Sequence, residues 1–217
     1  MSKVILFQGD SITDMGRSRD NESFSGVGYP TLVKAKLGYD CPGEYTFLNR
    51  GISGNRVVDL YARMKIDMIN LHPAYMSILI GINDVWHERG NGNGVAAPKY
   101  EKVYNMMIEE LKEELPDMKI IILEPFVLPA SATVSDAENP DRWEYFHDET
   151  LLRAEAAKRV AEKNGLYFVP LQAKFDALCE KAEPSYWIGD GVHPTAMGHE
   201  LIAREWIKVF NAINAAE

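Results

Sequence analysis

Five short apolar runs set the fold of this chain: Val4–Phe7, Thr46–Leu48, Met76–Ile80, Ile120–Leu123 and Tyr167–Val169. None alternates polar with apolar residues, as a strand with one wet face would, so each reads as a strand covered on both sides. Longer stretches with helical periodicity fill the gaps, near 29–37, 56–70, 99–115, 144–164 and 196–213. In the third, Val103, Met107, Leu111 and Leu115 share a stripe, the glutamates around Glu109 and Glu113 face water, and Pro116 stops the helix. In the last, Leu201, Ile202, Trp206, Val209 and Phe210 form the apolar face. Met106 and Met107 are both assigned to the core. Strand–helix alternation of this kind predicts an α/β fold, a three-layer α/β/α sandwich around a five-stranded parallel sheet. With 217 residues, 46% of them hydrophobic, the chain suits one domain over 1–217.

Charge narrows the partners. A formal net charge of -9 opposes nucleic acid and anionic membranes, both of which reward clustered Lys and Arg. No stretch approaches the roughly 18 apolar residues of a membrane-spanning helix. The apolar run after Lys3 is too short for a signal peptide core and lacks a small-residue cleavage site, so the expected location is the cytoplasm. Cys41 and Cys179 have neither the number nor the spacing of a disulfide framework or a zinc site and read as free thiols.

Ligands of an open parallel sheet bind beyond the carboxyl ends of its strands. Four motifs fall at such places: Gly9-Asp10-Ser11, the stretch Asn49 to Asn55, Gly81-Ile82-Asn83-Asp84, and Asp190-Gly-Val-His193 before the last helix. Together they supply the parts of acyl transfer. Ser11 is the candidate nucleophile and His193 the base that takes its proton. Asp190 is the acid that orients the imidazole and stabilises its charged form. The N–H groups of Ser11 and Gly54 and the side-chain amide of Asn83 are candidate donors to the oxyanion. A histidine base must be neutral, which predicts best activity from neutral to mildly alkaline pH.

These four blocks, in this order, resemble those of the SGNH (GDSL-like) hydrolases, where Ser, Gly, Asn and His come from four separated motifs. The resemblance runs from residue 9 to 199, with Gly-Asp-Ser-Ile in place of Gly-Asp-Ser-Leu. Within that family the chain is similar to bacterial intracellular acetylxylan and acetyl-xylooligosaccharide esterases, through Ser11-Ile-Thr-Asp14, Gly51-Ile-Ser-Gly54-Asn55, Ile80-Gly-Ile-Asn-Asp-Val-Trp86 and Val192-His-Pro. The resemblance implies a flavodoxin-like sheet, no metal, no organic cofactor, a small acetylated saccharide as substrate, and a homo-oligomer. Two other readings keep the scaffold: a lysophospholipase or thioesterase with the same three residues, and a non-catalytic carbohydrate-binding protein.

Other residues are weighed as substrate contacts. Trp86 and Trp187 offer faces for sugar rings, or pack in the core. Arg56 either contacts substrate or forms a salt bridge at the start of a helix. Asp10 is a further candidate contact, although Asp10 and Asp14 read first as organisers of their loop through backbone hydrogen bonds. His87, His147 and His199 have no metal-ligand spacing, and His199 reads as a packing or surface residue. Two long connections, Trp86 to Pro98 and Pro125 to Trp143, are expected to be lids or binding walls, or surface excursions.

Overall fold

A computed structural model describes residues 2–215. The apolar runs become strands β1 (Lys3–Gly9), β2 (Tyr45–Asn49), β3 (Tyr75–Leu79), β4 (Lys119–Leu123) and β5 (Tyr167–Val169). All four pairings are parallel and the order is β2-β1-β3-β4-β5. This is the flavodoxin-like order, whose switch point falls between β1 and β3.

The helices are α1 (Ser11–Asp14), α2 (Tyr29–Asp40), α3 (Val57–Asp67), α4 (Ile82–Asn91), α5 (Ala97–Glu114), α6 (Arg142–Asn164), α7 (Gln172–Leu178), α8 (Pro184–Trp187) and α9 (Ala196–Ala215), with a 3₁₀ turn at Ile69–Leu71. They form two layers because successive strand residues point to opposite faces. Ile5 and Phe7 join α2 and α9 in one core through Val33, Leu37, Trp206 and Phe210. Leu6 joins α3, α5 and α6 in the other through Leu60, Met64, Met107, Leu111 and Val160. The Trp206 ring lies 5.6 Å from that of Phe7 and 5.1 Å from that of Phe210, and all three are buried.

Two expectations need correction. The stretch from Trp86 to Pro98 is not a loop throughout: α4 runs to Asn91 and is capped at Gly92, so only 92–96 are irregular. Met106 is 40% exposed, whereas Met107 is buried. Neighbours on a helix are about 100° apart, so a single stripe takes one and leaves the other to water.

Candidate active site

Ser11 opens the one-turn helix α1 directly beyond β1. Asp10 caps this turn, its Oδ1 accepting the Ile12 N–H at 2.9 Å. His193 lies 182 residues on, yet its Nε2 is 2.8 Å from Ser11 Oγ. Its Nδ1 is 2.7 Å from Asp190 Oδ2. Asp190 Oδ1 accepts the backbone N–H groups of Val192 and His193 at 2.8 and 2.7 Å, which folds the turn back so that acid and imidazole meet. Partial burial alone would raise the Asp190 carboxyl, but these three donors outweigh it and hold it below its ordinary 3.8. An ionised Asp190 accepts a hydrogen bond from Nδ1–H, which keeps the proton on Nδ1 and leaves the Nε2 lone pair for the Ser11 hydroxyl. The chain Ser11–His193–Asp190 can therefore move a proton from hydroxyl to imidazole.

The connection from Pro125 to Trp143 braces this turn. Ala132 N–H donates to Asp190 O at 2.9 Å and Leu128 N–H to Gly191 O at 3.0 Å. Gly191 has φ +100°, and a Cβ there would lie 2.2 Å from Thr133 Oγ1 and 2.6 Å from Leu128 O, so the turn closes only around glycine. Trp187 supports the other side. Its carbonyl accepts the Thr195 N–H at 2.9 Å, and its indole N–H donates to Ala182 O at 3.3 Å.

The oxyanion candidates converge from three strand ends. Gly54 sits at φ +82°, with its backbone exposed. Among the described residues the N–H groups of Ser11 and Gly54 have no acceptor. Asn83, in the first turn of α4 beyond β3, uses one amide N–H on Asn55 O at 3.1 Å. That bond ties the side chain to the loop that carries Gly54, and among the described residues its second N–H has no acceptor. Preorganised donors of this type are each worth about 3–4 kcal/mol of transition-state stabilisation.

A buried framework that motif reading does not find holds these loops in register. Asn49 Nδ2 donates to Thr13 O and Ser25 O, while its Oδ1 accepts the Gly51 N–H. Asp14 takes both ends of the Arg19 guanidinium and accepts Ser53 N–H and Oγ–H, both at 3.2 Å. Arg63 reaches Asn55 Oδ1 at 2.8 Å, and the side-chain oxygens of buried Asp84 accept the Val57 N–H that starts α3. His199 is buried with Nδ1 accepting the Tyr29 N–H at 3.2 Å, and burial pulls its imidazole down to about 4, so it stays neutral. That settles its role as packing.

Two candidate substrate contacts turn out to be supports. Asp10 is 1% exposed, and Arg56 spends its guanidinium on Asp59, Asn93 O and Asn93 Oδ1. Trp86 differs: it is 36% exposed, rests on Phe146 with ring centroids 4.8 Å apart, and lines a cavity of about 390 Å³ with Arg89, Gly90, Ala132, Asn139 and Arg142.

Burial raises the Asp10 carboxyl from 3.8 to about 7, opposed by the Ile12 N–H and the charge of His193. The folded protein thus keeps a proton that the unfolded chain releases. Its contribution to stability is complete below 3.8 and is lost as pH rises through about 7. Asp10→Asn keeps an oxygen for the Ile12 N–H and cannot ionise. Its melting temperature is expected to gain on wild type between about pH 4.5 and pH 7.5; an unchanged difference across that range would contradict the assignment.

Comparisons with known proteins give the family. A family model described as GDSL-like lipase/acylhydrolase matches residues 7–201. The chain belongs to the GDSL-like lipase/acylhydrolase family. Like other SGNH hydrolases it is a carboxylic ester hydrolase. An acetylxylan esterase of Geobacillus stearothermophilus is 33% identical over 214 residues, covering 94% of this chain and 92% of its own length. A solved GDSL-like lipase from Parabacteroides merdae superposes with a TM-score of 0.87 at 35% identity, covering 96% of both chains. A variant of an acetyl-xylooligosaccharide esterase from Geobacillus superposes at 0.81 with 31% identity, covering 96% of this chain and 95% of the other. Among the described residues of this SGNH hydrolase, no helix is long and apolar enough to cross a membrane.

Proposed function

We propose that this chain is a serine esterase that removes O-acetyl groups from oligosaccharides, foremost acetylated xylo-oligosaccharides. The observation that carries the reading is the unbroken line from Ser11 Oγ through His193 to Asp190, at 2.8 and 2.7 Å. Ser11 Oγ attacks the acetyl carbonyl and His193 Nε2 takes its proton. The tetrahedral oxyanion is held by the Ser11 and Gly54 N–H groups and the Asn83 amide. His193 returns the proton to the departing sugar oxygen, leaving an acetyl group on Ser11. Water then attacks that acetyl ester with His193 as base, and acetate leaves as Ser11 recovers its proton.

The saccharide part of the reading rests on the esterase relatives and on Trp86. A partly exposed indole backed by Phe146 offers an apolar face for a sugar ring, in a cavity rimmed by Asn139 and by Arg89 and Arg142, which are paired with Asp141 and Asp136. A lysophospholipid or acyl thioester would call for a continuous apolar wall instead.

Initial rates on p-nitrophenyl esters from acetate to octanoate, with acetylated xylo-oligosaccharide alongside, test the proposal. Acetate release from the saccharide, with rates on the synthetic esters falling steeply as the acyl chain lengthens, is expected. A preference for octanoate would move the reading to a lipase or thioesterase, and binding of sugar without hydrolysis to a carbohydrate-binding protein.

A further inference from the structure

His87 stands beside the oxyanion candidates with no assigned role. It lies four residues after Asn83 on α4, and residues so spaced share one helix face about one turn apart. Its Nε2 is also 4.0 Å from the point where a Cβ on Gly54 would sit. The imidazole therefore stands near Gly54 and on the helix face that carries Asn83, two of the three candidate oxyanion donors. It is half-buried, and among the described residues its ring makes no hydrogen bond. The carboxylate whose charge it feels, Asp59, is already held by Arg56 through both oxygens. In the free protein water serves the donor and acceptor of this ring, so a substrate that displaces the water can take them over.

An acetyl ester seated in that centre has two arms. The methyl can neither donate nor accept a hydrogen bond. The alcohol arm, if it is a sugar, carries hydroxyls next to the esterified carbon and can do both. We infer that His87 is a specificity-determining residue that hydrogen-bonds a free hydroxyl of the saccharide beside the acetylated position. The inference rests on the saccharide reading proposed above. His87 takes no proton in the reaction; it favours ester substrates whose leaving alcohol bears a neighbouring hydroxyl.

The test compares two substrates in three proteins: wild type, His87→Ala and His87→Gln, the last retaining a donor and an acceptor. One substrate is acetylated xylo-oligosaccharide. The other is p-nitrophenyl acetate, whose leaving group has no hydroxyl. His87→Ala is expected to lose about five- to tenfold in kcat/KM on the saccharide, as for a neutral hydrogen bond, chiefly through KM. On p-nitrophenyl acetate it should stay within about twofold of wild type, and His87→Gln should recover part of the saccharide loss. Equal losses on both substrates would make His87 a structural support and overturn the inference, as would no loss on either. A wild-type protein that hydrolyses p-nitrophenyl acetate but not the saccharide would overturn the saccharide reading itself, and this inference with it.

Discussion

Ser11→Ala and His193→Ala are each expected to lower kcat for ester hydrolysis by about a millionfold, and the double replacement to lower it no further. The two side chains form one device. Ser11 Oγ is a weak nucleophile unless His193 Nε2, 2.8 Å away, accepts its proton as the carbonyl is attacked. With either partner gone the other has nothing left to do, so the losses do not add. What remains over the uncatalysed rate comes from binding and the oxyanion donors. The fold should survive. The α1 turn is set by Asp10 on the Ile12 N–H and by Asp14 on Arg19 and Ser53, and Ser11→Ala touches none of these. Steady-state rates with a melting curve on each variant check both halves. Losses that multiply in the double variant would show that the two residues act independently.

Asp190→Asn is expected to lower kcat by about 10⁴-fold with little change in KM. An asparagine retains one oxygen for the Val192 and His193 N–H groups that fold the turn, so the geometry is kept. It has no charge to balance the imidazolium. Its amide can also donate to Nδ1, which moves the imidazole proton to Nε2 and leaves no lone pair for the Ser11 hydroxyl. The braces from Ala132 and Leu128 reach backbone oxygens and are unaffected. A variant within about tenfold of wild type would show that Asp190 holds the turn and does little for the base.

The sheet was legible because a parallel sheet covered on both sides leaves an unmistakable mark: short apolar runs without alternation, each matching an observed strand within about two residues. Three motifs were legible because each lies just beyond a strand, where the chain must turn, and the fourth because Asp190 and His193 are three residues apart before the last helix. Short helices were harder. The stretch from Trp86 to Pro98 reads as a long connection, yet α4 continues through it to Asn91, and Asp84 is buried against the start of α3. The Arg56 salt bridge at a helix start and the packing of His199 were readable, but their partners far along the chain were not. Arg56 is spent on Asn93, 37 residues away, and His199 is fixed by the Tyr29 N–H, 170 residues away. The role of His87 was hidden for the same reason: its neighbour Gly54 comes from another strand end, and spacing tuned to metal ligands does not detect it.

In the proposed reaction Ser11 carries the acyl group, and covalent trapping reads this out at the residue itself. A fluorophosphonate ester, which reacts with a serine activated by a neighbouring base, would be incubated with wild type, Ser11→Ala and His193→Ala, followed by peptide mass analysis. One adduct on Ser11 is expected, with loss of esterase activity in step with its formation, no adduct in Ser11→Ala and a much slower one in His193→Ala. An adduct on another serine such as Ser53 that abolishes activity, or full activity with Ser11 completely modified, would contradict it.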